Sequence, residues 1–493
     1  MLSIDPWITL LIGVWIYVMW SRRRLYQLML KTPGRIGYPI IGSLYEFWKK
    51  KGFLHALGPE IEKYGSSFLG WLGPIPIYFV CEPTLVQELL TSPHALSKAS
   101  VAYKVLQELL GYNILTIDDP KWSMHRKALN PAFGSKVLLS FVPIFNKEGG
   151  SLIQQLDKLV GQGDNDLLSY LKNFTLRIAT QTTMGTDVQK EEIYQNDTLM
   201  AKYQIGVDAV TEMVFKPWLA IKTFRNWTKF GSVLSNSQST IINFIKKIID
   251  NKLNEATNCI NPSEIRTNSF INLAIDQLKN KVFTYQNVAD EAHTIVVTAF
   301  ETSALAITYT LMHLAMFPEY QERAFEEIEY VFPNTGDFEV TYYDIQKLDY
   351  LDMVINETLR VMPAVPVSLR KVTEDLKLSN GVVLPKGIQF CISIFHTHRN
   401  KDVWGPDAHM FNPDNCLPSN LQDKHPYAFI PFLKGKRNCI GWKYALISMK
   451  ITLIKILRNY KISTTFRFED LEIVNNITLK LKEMPKFQLD RRS

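Results

Sequence analysis

Near the end of the 493-residue chain, Phe432-Leu433-Lys434-Gly435-Lys436-Arg437-Asn438-Cys439-Ile440-Gly441 places one cysteine where its sulfur can do chemistry. Cys439 stands just before a stretch of helical periodicity. Its sulfur would meet free backbone N–H groups and the positive end of the helix dipole, and both favour a thiolate. Gly435 allows a tight turn, Gly441 allows the close approach of a flat ligand, and Arg437 is placed to pair with an anionic group. A lone cysteine ahead of a helix is ordinarily just a buried core residue. The fixed positions of F-x-x-G-x-R-x-C-x-G set this one apart. Other spacings carry charge or proton-transfer capacity. Glu357-Thr358-Leu359-Arg360 puts a carboxylate and a guanidinium on one helical face, where they can pair. Trp122 and Arg126 stand at i and i+4, and Arg370 follows Pro366-Val367-Ser368-Leu369. Thr298-Ala299-Phe300-Glu301-Thr302-Ser303 sets a titratable group beside a hydroxyl, the makings of a proton relay. Each of these patterns alone is common on ordinary amphipathic helices.

Together with the cysteine loop they form a set. The loop resembles the haem-binding signature of the cytochrome P-450 family, and the likeness extends from the N-terminus to residue 480. The resemblance implies a mainly α fold with a minor β component. It makes Cys439 the iron ligand, in a loop with Phe432 and Arg437. Trp122, Arg126 and Arg370 become partners of the haem propionates, held by strong charge-assisted bonds. Glu301 and Thr302 become the catalytic acid–alcohol pair that passes protons during dioxygen activation, and Glu357–Arg360 a structural pair supporting the haem-side fold. The cofactor implied is haem b, iron protoporphyrin IX. Thr298 stands where some relatives carry a glutamate that bonds covalently to haem, so non-covalent binding is expected. A thiolate ligand favours O–O cleavage. Two departures stand out: Ala299 replaces a usual glycine, and Asn415, in Phe411-Asn412-Pro413-Asp414-Asn415, replaces an arginine that usually completes a network with Glu357 and Arg360. Asn415 can hydrogen-bond but carries no charge.

His425-Pro426-Tyr427-Ala428-Phe429-Ile430-Pro431-Phe432, Leu417-Pro418 and His398-Arg399-Asn400 resemble the microsomal fatty-acid hydroxylase clan and its insect members. The function implied is insertion of one oxygen atom from O2 into a lipophilic substrate: a fatty acid, a hormone-like lipid or a xenobiotic. Electrons would come from NADPH through NADPH-cytochrome P-450 reductase, with cytochrome b5 as a further partner. Lys121, Lys127, Lys434, Lys436 and Lys443 could form a basic docking face. By the family's layout, substrate contacts fall in Lys98–Leu115, Ile205–Phe224, Ile295–Ser303, Ala364–Leu369 and Asn475–Leu479. Two other chemistries stay open: a haem-thiolate isomerase or dehydratase needing no external electrons, and a non-catalytic haem or lipid binder. Turnover without NADPH would mark the first, and ligand-induced spectral shifts without product the second.

These residues need a helical frame to hold them. Thr284 can cap a long helix that runs to Phe317 and stops at Pro318. Helices are also expected at 53–64, 83–91, 139–160, 167–184, 318–330, Tyr343–Met362 and Trp442–Tyr460. Phe68–Cys81 reads as a hairpin, and Val365–Arg370, Leu376–Leu378 and Gln389–Ile394 as short strands. Asn254–Asn268 reads as a polar loop.

Composition sets the wider bounds. Hydrophobic residues make up 46% and charged residues 21% of the chain, enough to build a large core. The net charge of +7 permits an anionic membrane or an acidic partner, and no Arg/Lys–aromatic pattern points to nucleic acid. The five scattered cysteines suit a reducing compartment. Pro6–Trp20 is uncharged and apolar, with Arg22, Arg23 and Arg24 just after it, so residues 1–24 are expected to be a transmembrane anchor. The basic flank would hold the chain on the cytosolic face of the endoplasmic reticulum membrane. Residues 25–45 would be a Pro/Gly hinge, and residues 46–493 one catalytic domain.

Overall fold

The computed structural model describes residues 6–21, 23–35, 42, 52–73, 75–186, 198–258, 269–474 and 476–492. Its axis is the helix Tyr285–Met316, buried along most of its length. The start is fixed by reciprocal bonds: the Asn287 N–H donates to Thr284 Oγ1 (3.1 Å) and the Thr284 N–H donates to Asn287 Oδ1 (3.0 Å). Such a box satisfies donors that a helix start otherwise leaves orphaned. Pro318 opens the next helix, Pro318–Val331, at the turn after Phe317. Against the central helix pack Leu167–Met184, Trp442–Asn459, Asp349–Val361 and Phe270–Lys279, and their facing apolar side chains form the main cores.

The principal sheet lies to one side. Ser67–Leu72 and Ile75–Val80 form the expected antiparallel hairpin, with Phe68 opposite Phe79 and their rings stacked at 5.1 Å. Ile75–Val80 runs parallel to Gln389–Ser393, which pairs antiparallel with Val367–Lys371. The edge is Ser97–Lys98, in a register that sets Lys98 opposite Arg370.

The structure redraws several expected elements. The helix expected at Tyr343–Met362 starts later, at Asp349, after a 3-10 turn at Asp344–Lys347. Its first turn is capped from outside, by Glu327 accepting the N–H groups of Tyr350 (2.8 Å) and Leu351 (3.0 Å). The helix expected at 139–160 is divided into Ser135–Ser140 and Val142–Leu156, with Pro143 in the first turn of the second, where a missing N–H costs nothing. Residues 254–258, expected in a loop, extend the helix Lys229–Asn258; residues 259–268 lie outside the described set. The helix Ser100–Leu110 was not expected.

At the N-terminus, Pro6–Ser21 is a helix of 16 residues with Trp15, Tyr17 and Trp20 exposed, short of the ~20 residues that cross a bilayer core. Among the described residues, the one unbroken helix long and apolar enough for that is the central helix, whose apolar window is 78% buried in the protein. A single N-terminal span is therefore not shown. Residues 25–31, at the start of the expected hinge, belong to the helix Arg23–Lys31, which docks Leu28 into the core beside the sheet. Most of Pro33–Gly42 lies outside the described residues.

Candidate functional site

The cysteine loop is held by its backbone. Leu433 and Gly435 adopt positive φ (57° and 78°), and a Cβ on Gly435 would stand 2.3 Å from the Leu90 carbonyl oxygen, so only glycine fits there. The Cys439 N–H donates to the Phe432 carbonyl (2.9 Å), closing the loop, and Gly441 precedes the helix Trp442–Asn459. Cys439 is accessible although protein surrounds it on all sides, so the thiol borders an internal space rather than the outer surface. Burial pushes its pKa up; the Gly441 N–H and the Arg126 guanidinium pull it down without overcoming that rise. A metal cation at the sulfur would supply the missing stabilisation.

Beside it lies a concentration of positive charge. Arg370 is fully buried, and none of its three guanidinium nitrogens has a hydrogen-bond partner. Arg437 donates through Nη2 to the Ile117 carbonyl (2.7 Å) and lies over the Trp122 ring (4.4 Å), while its Nε and Nη1 are unpartnered. Lys98 donates to the Tyr103 hydroxyl (3.2 Å). Burial pushes Arg370 and Arg437 each down to about 10. Burial, then the charges of Arg370 and Arg437, push Lys98 well below its usual range. Buried cations without partners are costly, so this cluster is built for an anion carrying more than one charge. The sequence places Lys98 and Tyr103 in an expected substrate segment but not beside these cations, because the strand register that brings Lys98 to Arg370 has no sequence motif.

Arg126, expected at a propionate, is engaged with the cysteine loop: Nη1 donates to the Asn438 carbonyl (2.8 Å) and Nη2 to Asn438 Oδ1 (3.0 Å). Its helix, Lys121–Leu129, is joined to the central helix by a buried contact between His125 Nδ1 and Glu291 Oε1 (2.6 Å). A thiol on a rigid loop, bordered by internal space and by unpartnered cations, fits a flat metal macrocycle with two carboxylates. Iron protoporphyrin IX is such a group: Cys439 would hold its metal, and Arg370, Arg437 and Lys98 its carboxylates.

Glu357 and Arg360 form a fully buried bidentate pair, Nε–Oε2 and Nη2–Oε1 both at 2.7 Å. The rest of the guanidinium is saturated by the carbonyls of His398 (2.8 Å), Ala408 (2.5 Å) and Met410 (2.8 Å). Asn415 takes the place of the usual arginine by donating to Glu357 Oε1 (2.9 Å), joined there by the Asn412 N–H (2.9 Å). The network thus closes without a third charge.

Alongside the central helix is a cavity of about 630 Å³, walled mostly by apolar side chains such as Leu106, Val210, Met213, Ile477 and Leu479. Each of the expected substrate segments contributes to it, although Asn475 lies outside the described residues. Phe53, Leu72, Lys202 and Ile241 also line it and were not expected. Thr298, Glu301 and Thr302 form part of one wall. The Thr302 hydroxyl donates to the Thr298 carbonyl (2.7 Å), which leaves its lone pairs free to accept. Glu301 is buried and ion-paired with Lys172 (3.0 Å) from Leu167–Met184, another residue the sequence did not single out.

Comparison with known proteins agrees with this architecture. The family described as "Cytochrome P450" matches residues 32–485. Over the full length of both chains the protein is 51% identical to "Probable cytochrome P450 313a4" of Drosophila melanogaster. It is 31% identical to "Cytochrome P450 4c3" of the same fly, covering 94% of this chain and 89% of that protein. Identity to "Cytochrome P450 4c21" of Blattella germanica is 30%, covering 92% of both. With a cysteine loop, a cradle of cations and an apolar cavity meeting around one helix, the chain belongs to the cytochrome P450 family of haem-thiolate monooxygenases.

Proposed function

We propose that the protein inserts one oxygen atom from O2 into a lipophilic substrate (a fatty acid, a hormone-like lipid or a xenobiotic) with electrons from NADPH delivered by NADPH-cytochrome P-450 reductase. The observation that carries this reading is the meeting of the apolar cavity with Glu301 and Thr302 on its wall. A largely apolar wall selects for apolar surface and excludes water from the reacting end. Haem supplies oxygen activation when bound. The protein's own tasks are distinct: Cys439 ligates, Arg370 and Arg437 with Trp122 beneath hold the carboxylates, and Arg126 braces the loop through Asn438. Phe432 anchors the cysteine backbone, and Glu301 and Thr302 move protons at the cavity wall.

Lys121, Lys127, Lys436 and Lys443 are exposed on the cysteine side, which suits docking of an acidic reductase, and cytochrome b5 would share that face. The exposed apolar helix Pro6–Ser21 with Arg23 and Arg24 beyond it suits an anchor in the endoplasmic reticulum membrane, the catalytic domain being cytosolic. The test is reconstitution with the reductase, NADPH and a panel of fatty acids, terpenoid lipids and xenobiotics under isotopically labelled dioxygen. Product carrying one labelled oxygen atom, dependent on NADPH, is expected. Conversion that proceeds without NADPH, or unlabelled product, would overturn the proposal.

A further inference from the structure

Glu301 faces the cavity as one member of a group drawn from three helices. We propose that Lys172 is a positioning residue for Glu301, held in turn by Gln204, so that the acid at the cavity wall is set by the helix that covers the substrate. The inference rests on the reading of Glu301 as a proton-relay acid given above.

The geometry is specific. Lys172 Nζ lies 3.0 Å from Glu301 Oε2 and 3.3 Å from Oε1, and it donates to Gln204 Oε1 at 2.5 Å. The side chains of Lys172 and Glu301 are 9% and 4% exposed. An ammonium has three donors and no acceptor; two of them are met by Gln204 Oε1 and Glu301 Oε1, and Glu301 Oε2 is held by charge without a hydrogen bond. The two helices are also keyed together nearby, where the Thr175 hydroxyl donates to the Phe300 carbonyl (3.0 Å). Tyr309, which also senses Glu301, donates its hydroxyl to the Leu479 carbonyl and does not compete for the carboxylate.

Stability alone is a weak reason for such a pair. Burying two charges costs about as much as their attraction returns, and apolar residues of similar size would often serve as well. The placement is better explained by the acid it holds. Gln204 belongs to Thr198–Phe215, which lines the cavity through Tyr203, Val207, Val210 and Met213. The chain of contacts continues outward, Gln204 Nε2 donating to Asp208 Oδ1 (3.0 Å) and Lys480 Nζ to the same oxygen (2.8 Å), with Asp208 half exposed. A substrate that shifts this helix therefore pulls on Lys172 and re-aims Glu301.

The test compares full-length holoproteins carrying Lys172→Met, Lys172→Arg, Gln204→Leu, Glu301→Gln and the double Lys172→Met/Glu301→Gln. One readout needs no turnover: in urea unfolding the double variant should be more stable than Lys172→Met, because it leaves no unpaired carboxylate. The other is the ratio of organic product to released hydrogen peroxide, measured with whichever member of the panel above is converted fastest. Lys172→Met should raise the peroxide share several-fold toward that of Glu301→Gln, Lys172→Arg should restore most of the coupling, and Gln204→Leu should fall between. Additive stabilities, or a Lys172→Met enzyme as well coupled as wild type while Glu301→Gln is not, would overturn the inference. A fully coupled Glu301→Gln would instead refute the relay reading, and the inference with it. Should Lys172→Met fail to fold, Gln204→Leu, which leaves the ion pair in place, decides by the same ratio.

Discussion

Arg370 is a guanidinium that the protein buries completely and gives no hydrogen bond. Such a group destabilises the fold unless something anionic meets it, so its removal should separate cofactor affinity from protein stability. Arg370→Met is expected to lower haem retention by ten- to a hundred-fold, in line with the ~1.5–3 kcal/mol of a hydrogen bond to a charged group. It should leave the unfolding midpoint of the haem-stripped protein unchanged or raised. Haem transfer to apomyoglobin measures the first and urea unfolding the second; unchanged transfer would remove Arg370 from the site. Asn415 is the reverse case, a neutral residue in a place the family usually fills with charge. Asn415→Ala takes one donor from a fully buried carboxylate and should cost about 1–3 kcal/mol in unfolding, while Cys439 ligation is retained. A cost below a few tenths of a kcal/mol would show that Asn412, Arg360 and the Cys416 thiol satisfy Glu357 without Asn415.

At the scale of elements, four histidines enclosed by the fold, His396 only half-buried, make the packing sensitive to acid. Burial pushes His293 down to about 4 and His313, His396 and His398 each to about 3. His398 is held in its neutral form by use, its Nε2 accepting the Ile430 N–H (2.8 Å), and His313 stacks on Phe411 (4.3 Å). Folded pKa values below the unfolded value of ~6.5 mean that the unfolded chain binds more protons between the two. Stability is therefore full above about pH 6.5 and falls as pH drops toward 4 for His293 and toward 3 for the other three, by about 2 kcal/mol per histidine at pH 5. Thermal melts across that range should show the decline, and His313→Leu should flatten it. A slope unchanged in His313→Leu would show that this histidine does not contribute.

The elements that carry these histidines were partly legible. The central helix announced itself through Thr284 and Pro318, and the last long helix and the hairpin through periodicity and β-branched runs. The division of the helix expected at 139–160 had a local signal in Pro143, but elsewhere the deciding contact was distant in the chain. The start of Asp349–Val361 depends on Glu327 from another helix, and nothing near residue 349 signals it. For the same reason Cys439, Arg437 and the Glu357–Arg360 pair could be found from local motifs. Lys98 and Lys172 could not, because they reach the site only through strand register and helix packing.

For the whole molecule, the apolar N-terminal helix and the catalytic body meet at Arg23–Lys31, which is part of the body: Leu28 is 5% exposed and Arg24 pairs with Asp375. Removing residues 1–21 is expected to leave haem content and melting temperature unchanged and to shift the protein from the membrane fraction to the supernatant. Removal through residue 31 should lower the melting temperature by several degrees, since losing a buried leucine alone costs ~2–5 kcal/mol. Equal melting temperatures for the two truncations would mean that the docked helix contributes nothing. The expectations about cofactor and oxygen chemistry presuppose that Cys439 binds iron as a thiolate. The direct measurement is the reduced carbon-monoxide difference spectrum of the wild type beside Cys439→Ala. A strongly red-shifted Soret band is expected in the wild type and its loss in the variant; a wild type that binds haem without that band, or a variant that keeps it, would contradict thiolate ligation by Cys439.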